Sequence, residues 1–179
     1  IYSYLISIFI SHGVFHNLLF LSVGFIFFIF KKNFFKEILR KDFYLLLLIF
    51  SILLIGLFIY KTHDDFSYYH FQYSYYLTQQ SSVLGIGNFG LGLRTPSSLF
   101  YLNSLFYLPL IGYFSFQITP VLILGFSNLI LMIKIKNDLI KSRYNFLTIY
   151  NLAVFIFINI FFYRISEHGT DKSAQILIL

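Results

Sequence analysis

The chain contains no cysteine. Disulfides, thiolate catalysis and cysteine-based zinc sites are therefore outside its chemistry, although this does not fix its compartment. Charge is also scarce: Asp, Glu, Lys and Arg together make up 11% of the 179 residues, against about 25% in an ordinary soluble domain. Hydrophobic residues reach 58% and the mean hydropathy is +0.78. So few charges cannot cover a globule in water, and lipid is the expected solvent. Acids are the rarest, seven against thirteen Lys and Arg, for a formal net charge of +6. That excess does not predict a nucleic-acid partner. Nine of the thirteen basic residues fall in two short clusters between apolar runs, which is the pattern of cytoplasmic loops. No basic stretch precedes the first apolar run and no small-residue cleavage site follows it, so no signal peptide is read. Starting at Ile1 and closing on an apolar run, the chain is expected to be a fragment cut at both ends.

The apolar runs set the expected topology. Residues 1–30 carry no charge, which is too long for one crossing of about 20 residues and too short for two. The polar break SHGVFHN, Ser11–Asn17, divides them into the tail of one span (1–10), a turn, and a second span (17–30). His12 and His16 lie in that turn. Their spacing of four suits a metal on a helix, but polar residues at an interfacial turn is the simpler reading. The first basic cluster, 31–42, is placed in the cytoplasm. A third span, 43–60, has eighteen uncharged residues, roughly 27 Å of helix. A second basic cluster, 134–143, is also read as cytoplasmic, so an odd number of crossings must separate it from Lys61. Ile118–Ile133 is taken as that crossing, with Ser97–Phe116 interfacial or half-inserted. A further span covers 144–163, and another starts at Ile176. Asn145, Asn151 and Asn159 within 144–163 are read as amides that bind neighbouring helices. Loops 61–117 and 164–175 then lie on the far side. The fold class is all-α, a polytopic transmembrane helical protein.

The stretch KTHDDFSYYH, Lys61–His70, directly follows the third span and holds two of the seven acids side by side. Either Asp64 or Asp65 is expected to cap the helix that follows. That helix is rich in aromatics, and Tyr69, Tyr73 and Tyr76 share a face that suits a membrane surface, since tyrosine favours the headgroup level. The segment 81–96 has four glycines, Gly85, Gly87, Gly90 and Gly92. It lacks the Lys-Ser/Thr ending and the preceding strand of a phosphate-binding loop, so it is expected to be flexible or close-packed.

The topology sets two polar loops on one side. One carries Lys61, His63, Asp64, Asp65 and His70, with Arg94 further along. The other carries Arg164, Glu167, His168, Asp171 and Lys172. Ionisable groups at the edge of a span are candidate functional groups; the competing reading is a pair of ordinary solvated loops. A transporter would use the acids and histidines as an ion path, but none of them interrupts an apolar run. A polysaccharide polymerase of the envelope would carry a large external loop with paired arginines, which is not seen.

An outward helix, then the acidic pair Asp64–Asp65, then an aromatic interfacial helix resembles the first external loop of the GT-C glycosyltransferase fold. HDDFSYYH and RISEHGTDKSAQ together are also similar to a group of bacterial multi-spanning membrane proteins. The resemblance covers the chain from about Phe43 onward. It implies a GT-C-like arrangement in a bacterial cytoplasmic membrane and transfer of a sugar from a polyprenyl-phosphate-type donor to an envelope glycan or lipid acceptor. It implies Asp64 or Asp65 as general base. Arg94, Lys61, Arg164 or Lys172 would stabilise the leaving phosphate, Arg94 first because a planar fork matches phosphate. His63, His70, Glu167, His168 and Asp171 complete the candidate substrate site. Mg or Mn, if required, would be held by Asp64, Asp65, Glu167 and Asp171.

Overall fold

The computed structural model describes residues 1–59, 65–94, 96–142, 144–160 and 170–178; for 32–40, 91 and 170–172 it describes the backbone alone. Among these residues the regular structure is entirely helical, with no strand. The helices are α1 (Tyr2–Ser7), α2 (Val14–Phe30), α3 (Lys32–Leu57), α4 (Phe71–Gln79), α5 (Ser98–Leu105), α6 (Ile118–Ile140), α7 (Phe146–Ile160) and α8 (Thr170–Ile178). A π-turn, Phe66–His70, leads into α4, and a 3-10 turn, Gly112–Gln117, leads into α6. Pro120 sits in the first turn of α6, where its missing N–H has no helical partner to lose.

Gly112–Ile140 is, among the described residues, the one helical stretch long and apolar enough to cross a membrane, 29 residues with a mean hydropathy of 2.0 over its most apolar window. Val14–Phe30 and Phe146–Ile160 are shorter apolar helices. Both basic clusters are more helical than loops. No Gly or Pro occurs between 31 and 55, so nothing stops a helix from running through the first cluster into the apolar run. The backbone breaks only at Asp42 (φ −123°, ψ 19°), where charged sequence gives way to apolar. Residues 134–140 of the second cluster form the end of α6.

Three helices pack as an antiparallel bundle. Lys136 Nζ on α6 donates to the Asp42 carboxylate on α3 at 2.6 Å. Midway, Gly125 faces Phe50, and a Cβ at 125 would stand 2.6 Å from the ring edge. At the other end the Gln117 amide lies over the last carbonyls of α3, its nitrogen 2.9 Å from the Leu57 oxygen. Residue numbers rise along α6 as they fall along α3. Helix α7 pairs with α6 in the same sense: the Thr148 hydroxyl donates to Asp138 at 2.8 Å, and Asn128 and Asn159 exchange two amide hydrogen bonds at 2.9 and 2.7 Å. Ile49, Leu53, Leu124, Val154, Ile158 and Ile176 of α8 form the apolar core between them. Small residues and amides at helix contacts are the packing currency of helices that cannot rely on water to drive them together.

Of the three asparagines in the last run, Asn159 binds the neighbouring helix as expected. Asn145 instead caps its own helix, accepting from the Thr148 amide at 3.0 Å. Asn151 is buried, and its Nδ2 meets no partner among the described residues.

Candidate functional site

The end of the bundle away from the basic clusters carries an aromatic cap. Phe66 packs edge-on to Tyr113 (5.2 Å between centroids), and Phe71 packs on Phe116 (5.8 Å). The π-turn and α4 are thereby fixed to the start of the Gly112–Ile140 stretch. Asp65 is the residue that enters the π-turn. Its backbone is already helical (φ −71°, ψ −21°), and its side chain makes no capping bond to that turn. Asp65 is therefore not the cap, since a capping side chain usually reaches over the first amides from an extended backbone; Asp64, the alternative, lies outside the described residues. The extra residue of a π-turn widens the helix, a distortion frequent at functional sites.

The glycine-rich segment is close-packed. Ile86–Asn88 and Leu91–Arg94 are short 3-10 turns, the first entered through Gly85 at φ +84°, a backbone that disfavours any side chain. A Cβ on Gly92 would stand 2.6 Å from Tyr69 Cβ and 3.1 Å from the Tyr68 carbonyl. Only glycine lets the 91–94 turn lie against the π-turn this closely. Arg94 closes that turn, with an exposed side chain whose Nε donates to the Gly87 carbonyl at 3.0 Å. Asp65 and Arg94 are thus carried by two turns in direct contact. His70 is buried, its ring 4.4 Å from Tyr69 and 5.3 Å from Phe100, so it belongs to the packing under the turn.

The tyrosine face expected on the membrane points inward. Tyr73 is buried and its hydroxyl pairs with that of Tyr101 at 2.8 Å. Tyr69 and Tyr76 are half-buried, and the exposed tyrosines of this region are Tyr68 and Tyr75. Helix α5 covers the 69/73/76 stripe with Phe100 and Tyr101. Burial, then the hydrogen bond with Tyr101, pushes the Tyr73 hydroxyl above the usual tyrosine range.

A second polar cluster docks the N-terminal hairpin, α1–turn–α2, onto α4 and α5. The His12 amide donates to the Leu77 carbonyl at 2.8 Å, and the Ser82 amide to the Ser7 carbonyl at 2.6 Å, so 7–12 and 77–82 run antiparallel. The His12 ring is fully buried, with Nδ1 2.6 Å from Ser104 Oγ. The Ser104 hydroxyl donates onward to the Tyr101 carbonyl at 2.9 Å, which leaves the proton of the first bond to His12 Nδ1. His12 Nε2 makes no hydrogen bond of ordinary geometry among the described residues. Burial lowers the His12 pKa from 6.5 to about 4; the charge of His16 acts the same way, and the Ser3 backbone offsets part of it. His16 stacks on His12 at 5.3 Å and is held by Tyr2 and Asn17. The Asn17 amide nitrogen faces the carbonyls of His12, Ser104 and Tyr107 at 2.8 to 3.1 Å. His12 lies in the connection before α2 and His16 in the first turn of α2, not both in the turn as expected, because the helix already begins at Val14; together they anchor the start of that helix. No group of three or more metal-ligating side chains occurs among the described residues.

Sequence reasoning missed Asn17 and Ser104 as anchors. An asparagine at the head of an uncharged run was the visible signal for the first, and nothing local marked the second. Of the other candidates, Lys61, His63, Asp64, Arg164, Glu167 and His168 lie outside the described residues. Asp171 and Lys172 fall in the first turn of α8, where the backbone alone is described. Comparison of the chain with family models, with curated proteins and with solved structures found no match.

Proposed function

We propose that this chain belongs to a multi-pass protein of a bacterial cytoplasmic membrane that transfers a sugar from a polyprenyl-phosphate-type donor to an envelope glycan or lipid acceptor. The observation that carries the reading is the contact of two turns through Gly92, which sets an acid and an exposed arginine on one small platform. The antiparallel run of α3, α6 and α7 supports the membrane part. So does the uncovered apolar surface of α2, where Leu18, Leu19, Val23, Phe25, Ile26 and Phe27 are all exposed; a helix apolar all round belongs in a core or a bilayer. The basic clusters meet at one end through Lys136 and Asp42 and would face the cytoplasm. The platform sits at the other end.

In the proposed reaction the Asp64–Asp65 pair takes the proton of the acceptor hydroxyl as its oxygen bonds the anomeric carbon. The bond from that carbon to the lipid phosphate breaks, and its electrons go to the phosphate. Arg94 meets the negative charge that develops there, where a preplaced cation does most for the rate. The experiment is transfer of radiolabelled sugar from the lipid pool in membranes holding the full-length protein. Asp64→Asn or Asp65→Asn is expected to lose roughly 10²- to 10⁴-fold in rate at normal protein level, and Arg94→Gln to lose transfer as well. Unchanged transfer in both aspartate variants ends this reading and brings transport forward.

A further inference from the structure

The connection between α4 and α5 exposes large apolar side chains where a water-facing loop would be polar. Leu84 is 100% exposed and Phe89 is 89% exposed, with Val83 beside them also exposed. These residues are held rather than trailing. Gly85 takes the left-handed turn that begins Ile86–Asn88, and Arg94 ties back to the Gly87 carbonyl. Gly87 itself allows this tie, since a Cβ there would stand 3.0 Å from Arg94 Cγ. A chain that fixes apolar side chains outward, away from its own core, is presenting them to something apolar.

The level of the loop identifies the partner. The loop returns through 91–94 onto the π-turn, where Gly92 meets Tyr68 and Tyr69, and that turn is fixed by Phe66 to Tyr113 at the head of the Gly112–Ile140 stretch. If that stretch crosses a bilayer, its head lies at the lipid headgroups, and the loop lies there too. The charge agrees: Arg94 is exposed next to the apolar tip, and among the described residues only its Nε is engaged, on the Gly87 carbonyl. An apolar tip flanked by a cation is the composition that binds a lipid surface, where side chains sink about 5–10 Å and basic groups meet anionic headgroups.

We infer that the Val83–Phe89 loop dips into the outer edge of the bilayer, with Arg94 at the level of the lipid phosphates, where it meets an anionic headgroup when no donor occupies the platform. The inference rests on the membrane reading above, but not on the sugar-transfer reaction. On this view the loop holds the two-turn platform at a set depth against the lipid from which a substrate would come.

The chain contains no tryptophan, so Phe89→Trp installs a single indole in it. The full chain is placed in vesicles of phosphatidylcholine, with or without phosphatidylglycerol, and the indole is challenged with lipids brominated on the acyl chains. Phe89→Trp is expected to lose roughly half or more of its emission, with a blue-shifted maximum, and to be quenched more strongly when phosphatidylglycerol is present. Arg94→Gln in the same background is expected to abolish that difference. Leu84→Trp gives a second reporter should Phe89→Trp misfold. Ile130→Trp, on the exposed face of α6, reports on the span itself. Quenching at 130 without quenching at 89 or 84 overturns the loop insertion and leaves the membrane reading standing. No quenching at any of the three overturns both. An anionic-lipid effect that survives Arg94→Gln overturns the role of the arginine.

Discussion

The two ends of this molecule are held by different forces. In the α3–α6–α7 bundle the central core is apolar, with one glycine letting Phe50 approach, one amide pair joining α6 to α7, and the polar contacts of Lys136 with Asp42 and of Thr148 with Asp138 towards one end. In the cap, where α1 and the start of α2 meet α4 and α5, the buried groups are His12, Asn17, Ser104 and the Tyr73–Tyr101 pair. Apolar packing is forgiving, because a neighbour of similar volume replaces a lost one at modest cost. Buried polar groups are not: each one left without a partner costs about 1–3 kcal/mol. The bundle is therefore expected to tolerate substitution and the cap to fail at single positions.

Asn17→Leu should show the contrast most strongly. It keeps side-chain volume but strips the donor from three carbonyls, His12, Ser104 and Tyr107, and should cost about 3 kcal/mol. The measurement is unfolding in mixed micelles, or cleavage of the loosened hairpin by a protease. If Asn17→Leu unfolds like the parent chain, the cap is held by its aromatic contacts instead.

Acid should weaken the cap next. In the docked hairpin the His12 pKa is held at about 4, against an ordinary value of 6.5. The undocked state therefore binds more protons between these two values. Docking is fully present above pH 6.5 and is lost progressively as pH falls toward 4, by at most about 3 kcal/mol. His12→Asn keeps a donor for Ser104 but cannot titrate, so its stability should be flat across that window. A variant that still weakens over the same range assigns the effect to another group.

The bundle should answer more softly. Asn128→Leu and Asn159→Leu are each expected to cost about 1 kcal/mol, the scale of polar contacts between membrane helices. The double variant should cost less than the sum, because it leaves no amide stranded without its partner. Strict additivity would mean that the two amides do not act as a pair.

The parts of this architecture that were legible in sequence were those written locally. Helix α6 starts at Ile118 as expected but runs on past 133 to Ile140, and two helices do flank the polar stretch, although the break falls before Val14 and the second half of 11–17 is already helix. Helix-forming sequence around the first basic cluster overrode the expected loop, because charge alone does not end a helix and no Gly or Pro intervened. The tyrosine stripe of α4 faced inward because its cover comes from α5, with Tyr101 28 residues from Tyr73, which no local pattern indicates. Ser104 is ninety-two residues from His12, and pairing at that distance leaves no periodic trace. The glycine-rich segment could be read only as flexible or close-packed, and not against what it packs: Gly92 is small because of Tyr68 and Tyr69.

The bonds from the His12 amide to Leu77 and from the Ser82 amide to Ser7 join main chain to main chain. No side chain takes part in either. Substitution at 7, 12, 77 or 82 therefore leaves both main-chain bonds available, proline at 12 or 82 excepted, since it alone lacks the N–H. The register of the hairpin is in this sense insulated from sequence change, while its fit remains exposed to change at the buried side chains of Ser7, His12, Asn17, Leu77 and Ser104.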